Sequence, residues 1–427
     1  MHTKTGWVLI LVALAAPLAA EAGGATASGT ATGNVASAAA MASWVGSWAA
    51  SQQIPEPNNA APPEKLHNAT LRQIVHLSVG GPAIRVRVSN AFGTTPLHLL
   101  AVHVAQPVSA SSSRIEPATD RALTFNDRPD VLIPAGAEYF SDPLAYPVAA
   151  LSSLAVTMEI EEPPAQQTGH PGSRATSYLA SGMLVSAPEL TGAQTIEHWY
   201  FLSGVDVSAG AKASAVVTLG DSITDGHGAT TNGNDRWPDV LAARLQKAAP
   251  DKVAVLNEGI GGNRLLLDGL GPNALARVDR DVIAQNGVRY VIVLEGINDL
   301  GTLTRTGPAT EAQHEDLVRR MIGVYSQIIS RAHAHGIKVM GATLLPFNGS
   351  DYYHPDAANE SDRQAVNAWI RAPGHFDTVV DFDKLTADPA HPEHLRAEYD
   401  SGDHLHPSPA GYRAMAEAIP LGVLTGK

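Results

Sequence analysis

Two textures divide the chain. Residues 71–79 (Leu-Arg-Gln-Ile-Val-His-Leu-Ser-Val) and 83–89 (Ala-Ile-Arg-Val-Arg-Val-Ser) alternate apolar and polar side chains on either side of Gly80-Gly81. A period of two places alternate residues on opposite faces, so the pattern predicts two half-buried strands joined by a tight turn. Residues 97–104, 154–160 and 198–202 continue the pattern, with Pro and Gly clusters between the pieces. No long helical period interrupts them. The expectation for residues 43–211 is one all-β sandwich domain.

From residue 214 the strands become almost wholly apolar, at 215–219, 253–256, 290–294, 338–343 and 378–381. Helical patterns fall between them at 238–247, 274–284, 312–335, 362–370 and 409–419. Apolar strands alternating with helices predict a sheet buried on both faces, which is the mark of parallel pairing. Residues 212–427 therefore read as a three-layer α/β/α domain on a five-stranded parallel sheet, with no internal repeat.

The N-terminus has a pattern of its own. Lys4 precedes an apolar run over residues 7–20, and Ala20-Glu21-Ala22 is a small-x-small site. This predicts a cleaved signal peptide, residues 1–22, since the run is short for a bilayer span. Residues 23–42 are mostly Gly, Ala, Ser and Thr and read as a flexible leader. Cleavage removes one base and one acid, so the charge of −13 is unchanged. The mature chain is expected to be secreted or periplasmic, with no membrane span. The acidic balance and an aromatic content of 5% disfavour nucleic acid as a partner. The absence of cysteine excludes disulfides, thiol catalysis and thiolate metal sites. Nothing in the pattern sets the oligomeric state.

Open parallel sheets bind ligands beyond the carboxyl ends of their strands. After the first strand stands Gly220-Asp221-Ser222-Ile223-Thr224-Asp225-Gly226, which reads as an exposed serine or as a capped helix start. After the second stands Asn257-Glu258-Gly259-Ile260-Gly261-Gly262-Asn263-Arg264, an oxyanion donor, a phosphate cradle or an ordinary turn. It does not match the dinucleotide fingerprint. After the third stands Glu295-Gly296-Ile297-Asn298-Asp299, whose amide reads as an oxyanion donor or an Asx turn. The last loop holds Ser401-Gly402-Asp403-His404-Leu405-His406. Asp403 can orient His406 as a general base, or His404 and His406 can bind metal, alone or with His391 or His394. The blocks together supply a hydroxyl, a base with its orienter and oxyanion donors, the requirement for acyl transfer.

These blocks, in this order, resemble those of the SGNH hydrolases (GDSL-type esterases and lipases) over about residues 214–427. The resemblance implies Ser222 as nucleophile, His406 as base and Asp403 as its orienter. It implies the Ser222 N–H, Gly262 and Asn298 as the oxyanion hole, with Gly259 and Gly261 as close competitors for the glycine. The β domain is similar to the N-terminal domain of an exported two-domain bacterial subgroup. No cofactor or metal is implied. The lipase elbow Gly-x-Ser-x-Gly occurs nowhere in the chain.

The expected activity is an exported serine ester hydrolase, working through an acyl-enzyme on small-molecule or polysaccharide esters. Loops 269–273, 301–306 and 347–354 would build the acyl pocket, and their polar composition favours short or polar acyl groups. Deacetylation of a polysaccharide is the alternative. A non-catalytic glycan-binding protein is a third reading. Trp44, Trp48, Trp199 and Tyr200 are expected to plug the β core rather than face sugar.

Overall fold

The computed structural model describes residues 43–210 and 212–426. The expected signal peptide (1–22) and leader (23–42) lie outside these residues. Among the described residues no helix is long and apolar enough to cross a membrane.

The β-rich part begins with β1 (Ser43–Ala49), β2 (Ala69–His76), β3 (Ile84–Ser89) and β4 (Leu97–Ala105). It continues with β5 (Ser153–Ile160), β6 (Ser177–Ser181) and β7 (Leu202–Ala209). All pairings are antiparallel. One sheet runs β1, β7, β3 and then Glu138–Phe140. The other runs Gln194–Ile196, β6, β2, β5 and β4, with Arg121–Ala122 and Val131–Ile133 both on β4.

The predicted hairpin of residues 71–79 and 83–89 does not form. β2 pairs with β5 and β6, whereas β3 pairs with β7 and Glu138–Phe140. The chain crosses from one sheet to the other at Gly80-Gly81. A Cβ at Gly81 would stand 2.4 Å from the Ser208 carbonyl oxygen, so only glycine fits this passage. The strands are not half-buried either. Arg72 and Gln73 are fully enclosed, because their polar ends are satisfied inside. Arg72 Nε donates to Thr157 Oγ1 at 2.9 Å, and its terminal nitrogens reach the carbonyls of Ser113, Val185 and Ala187. Trp48, Trp199 and Tyr200 are buried, so three of the four aromatics fill the core. Trp44 stacks under the Arg85 guanidinium at 4.8 Å.

The α/β part carries β8 (Ser214–Gly220), β9 (Val253–Gly259), β10 (Val288–Leu294), β11 (Lys338–Ala342) and β12 (Thr378–Val380). They form the five-stranded parallel sheet in the order β9, β8, β10, β11, β12. The helices are α1 (Ser222–Asp225), α2 (Trp237–Ala248), α3 (Ala274–Val278), α4 (Ile297–Thr304), α5 (Glu311–Ala334) and α6 (Ala357–Arg371). They continue with α7 (Phe382–Thr386), α8 (Pro409–Ala418) and α9 (Leu421–Thr425). The architecture is α/β/α, with α2 packed on α8 and α5 on α6. The expected helix over 274–284 is α3 followed by a π-helical turn, Asp279–Ile283. Residues 301–304 belong to α4 and are not loop.

The two parts pack as one unit. β9 is an edge strand of its own sheet, and the β-rich part covers it: Val255 N donates to Ser78 Oγ at 3.0 Å. Val45 packs against Gly287, and Gly46 N donates to Asn286 O at 3.0 Å.

Arg72→Met should lower the thermal midpoint of unfolding by several degrees. The substitution keeps the apolar stem but leaves buried acceptors unpaired, at about 1–3 kcal/mol each. An unchanged midpoint would show that these bonds are replaced on loss of the guanidinium.

Candidate active site

Parallel register places the motif blocks side by side. Gly220 at the end of β8 lies opposite Gly259 of β9 and Leu294 of β10. The three blocks after these strands therefore emerge along one edge.

Ser222 opens α1. Its N-cap is Asp221, whose carboxylate accepts from Ile223 N at 2.9 Å. As the first helical residue, Ser222 has an N–H with no intrahelical acceptor. The Ser222 hydroxyl lies 2.8 Å from His406 Nε2. His406 Nδ1 lies 2.6 Å from Asp403 Oδ2, and the same carboxylate accepts the N–H groups of His406 and Leu405. A carboxylate at Nδ1 places the proton there, so Nε2 accepts from the serine. Burial opposes ionisation of Asp403, but the bond from His406 and the two backbone N–H groups outweigh it and hold this acid well below the usual range. This set can draw the proton from a serine hydroxyl as the oxygen attacks carbon.

Gly262 adopts φ +68° in the turn after β9, a conformation that favours glycine. Among the described residues no acceptor lies within hydrogen-bonding reach of its N–H. Gly259 has a packing role instead, since a Cβ there would stand 2.3 Å from Asp225 N. Asn298 lies in the first turn of α4 and forms no Asx turn. Its Nδ2 donates to Asn263 O at 2.8 Å, and its Oδ1 accepts from Tyr353 at 2.6 Å. The amide thus bridges the second and third blocks and keeps one N–H unspent.

His404 does not join His406. Its ring pairs with Asp400 at 2.6 Å and its side chain is half-exposed. Among the described residues the grouping spaced for a metal is His227, Asp403 and His406, and not His404 and His406 with His391 or His394. The His227 ring lies 4.0 Å from that of His406. Burial, then the neighbouring His406, push His227 down to about 4.

Several neighbours carried no signal in their local sequence. Arg277 is fully buried below the three blocks. It donates to Gly220 O (2.9 Å), Glu258 O (2.6 Å), Asn263 Oδ1 (2.9 Å) and Asp281 Oδ2 (3.0 Å). His170 of the β-rich part reaches Asp225 Oδ1 at 2.9 Å and Ser51 O at 2.8 Å. Tyr353 had a weak signal, its place in the loop 347–354 expected to line the acyl pocket. Burial raises Asp221 to about 7 and Asp299 to about 6, and holds Glu295 well above the ordinary carboxylate value. Asp299 accepts the N–H groups of Leu265 and Leu266 and so fixes the loop after Gly262.

Residues 218–414 match the model of the GDSL-like lipase/acylhydrolase family. No curated protein matches the chain. Among solved structures, a GDSL-like lipase from Bacteroides thetaiotaomicron VPI-5482 is 21% identical with a TM-score of 0.37, over 50% of this chain and 89% of its own. A lipase/acylhydrolase from Enterococcus faecalis is 20% identical with a TM-score of 0.37, over 50% of this chain and 96% of its own. A carbohydrate acetylesterase from Sinorhizobium meliloti is 16% identical with a TM-score of 0.38, over 50% of this chain and all of its own (100%).

The raised Asp299 gives a pH test. Its folded value of about 6 exceeds the ordinary 3.8, so the folded protein binds this proton more tightly than the unfolded chain. Its contribution to stability falls as pH rises between those values and is level above them. Asp299→Asn should flatten the change in thermal midpoint between about pH 4 and pH 7 by several degrees. A slope identical to that of the native chain would place the titration elsewhere.

Proposed function

We propose that the chain is an exported serine ester hydrolase acting through an acyl-enzyme, with short or polar acyl groups as its substrates. The observation that carries this reading is the unbroken relay from Asp403 through His406 to Ser222. Ser222 Oγ attacks the ester carbonyl while His406 takes its proton, and Asp403 stabilises the imidazolium. The oxyanion is received by the N–H groups of Ser222 and Gly262 and the free N–H of Asn298. His406 then protonates the leaving alcohol, and water repeats the sequence on the acyl-serine. No step needs a metal or cofactor. Export rests on residues 1–22 alone.

Two bulky groups flank the oxyanion donors and support a small acyl group. Leu270 crowds Gly262, so that a Cβ there would lie 2.9 Å from its Cδ1. Tyr353 stands beside Asn298. A second reading, longer acyl chains, has one observation in its favour. A cavity of about 480 Å³ lined by Leu266, Leu267, Leu303 and Leu317 begins at Asp299, the residue after Asn298.

Hydrolysis of p-nitrophenyl esters from acetate to palmitate, compared with acetylated xylan, separates these readings. Acetate should be turned over fastest. A maximum at long chains would move the acyl group into the leucine-lined cavity, and activity confined to xylan would make the chain a polysaccharide deacetylase. Ser222→Ala should fold and be inert, and residual native activity would end the proposal. Asn298→Ala should lose about 10²–10³ in kcat, and an effect on KM alone would remove it from the oxyanion hole. Asp403→Asn should be damaging too, since the wrong tautomer of His406 then faces the serine. A chelator should leave activity intact.

A further inference from the structure

We propose that Tyr353 is a positioning residue for the oxyanion hole, fixing which face of the Asn298 amide meets the developing charge. The inference rests on the hydrolase reading above and adds a residue to it. A carboxamide is nearly symmetric in shape, and a half-turn about its last torsion exchanges a donor for an acceptor. In the flipped state Asn298 would present a carbonyl oxygen to an oxyanion and repel it. Two contacts forbid that state. Asn263 O can only accept, and it takes one N–H of Nδ2 at 2.8 Å. The Tyr353 hydroxyl donates to Oδ1 at 2.6 Å. Oδ1 is thus committed, and the second N–H is the one polar group of the side chain left for substrate. Donation to Oδ1 also polarises the amide and makes that N–H a better donor.

The phenol is held as a fixed part of the site. Tyr353 is 3% exposed. Its ring lies on Gly301 of α4, one turn beyond Asn298, so closely that a Cβ there would stand 2.3 Å from the ring. Phe347 and Tyr352 meet it edge-on, with centroids 6.4 and 4.7 Å away. Burial raises its ionisation far above neutral pH, so the hydroxyl remains a donor. A tyrosine that merely satisfied its own hydroxyl would stabilise the fold without changing the transition state, and kinetics tell the two apart.

The test is steady-state hydrolysis of p-nitrophenyl acetate by the full chain, native and as Tyr353→Phe, Asn298→Ala and the double variant. Tyr353→Phe keeps the ring packing. It should lose about tenfold in kcat, with KM within about twofold and the thermal midpoint within a few degrees. On the Asn298→Ala background the same change should cost nothing more, because Tyr353 acts through that amide. Native kcat in Tyr353→Phe, a loss carried by KM, or an equal loss on both backgrounds would overturn the proposal. Should Tyr353→Phe not fold, Gly301→Ala displaces the ring with the hydroxyl intact, and the same comparison decides. Asn298→Ala crippled beside a normal Tyr353→Phe would leave the hydrolase reading standing and remove only this role. A normal Asn298→Ala would remove both.

Discussion

One guanidinium, sealed from water, holds together the end of the parallel sheet where the site lies. Arg277 donates to the last carbonyl of β8, to a carbonyl near the end of β9 and to the side chain of Asn263. Gly220 O lies just before the block bearing Ser222, and Asn263 follows Gly262. The planar fork of an arginine suits this task, because its donors have fixed directions and each finds an oxygen. Removing the group would leave those buried acceptors unpaired, at about 1–3 kcal/mol each, and would leave Asp281 with Arg280 as its remaining guanidinium. The relative placement of Ser222, Gly262 and the Asn263 carbonyl that holds Asn298 therefore depends on Arg277.

That arginine is too little charge for its surroundings, and the imbalance has an effect on the chemistry. Asp221, Glu258, Asp281, Glu295 and Asp299 are all buried near it. Asp281 lies between Arg277 and Arg280, and these two guanidiniums hold it below its ordinary value against the burial that would raise it. Asp221, Glu258 and Glu295 are pushed upward by burial first and by neighbouring acids after it, and Asp299 by burial, against the backbone N–H groups that it accepts. A floor of carboxyls biased towards the neutral form lies under Ser222, whereas Asp403 is partly open to solvent and stays ionised. The ionised carboxylate that faces the His406 ring is thus that of Asp403. His227, pushed towards its neutral form, lies tilted against the His406 ring without adding a competing cation.

How much of this was legible along the chain follows from the range of the interactions. The parallel strands were plain because both faces are buried, so each reads as an apolar run set by its own residues. The motif blocks were plain because parallel register makes the position after each strand a shared edge. The structure brings the expected Ser222, His406 and Asp403 within hydrogen-bonding distance of one another. The pairing of β2 and β3 was not legible, because alternation describes a strand and says nothing about its partner. Its polar positions looked solvent-facing until Arg72 and Gln73 found carbonyls within the core. Arg277 was invisible for a related reason. It sits in an unremarkable helical pattern, and its partners come from three separate strand ends and the π-helical turn.

The contribution of the β-rich part is the feature most remote from sequence reading. Ser51 follows β1 by two positions, yet its hydroxyl donates to Asp281, which in turn pairs with Arg277. Its carbonyl meets His170, and the other nitrogen of that ring meets Asp225, three residues after Ser222. Gln53 donates to the carbonyl of Leu270, the residue that crowds Gly262. Each contact spans between 55 and 230 positions of chain. The contacts of Ser51 and His170 are also enclosed, so loss of the partner would leave a polar group buried without compensation rather than returned to water. An accessory domain joined by an ordinary surface patch would couple to the site weakly. Here the antiparallel part supplies bonds to the helix that Ser222 opens, to the acid paired with Arg277 and to the loop over the glycine turn. The geometry of the α/β part is therefore set jointly by both halves of the chain.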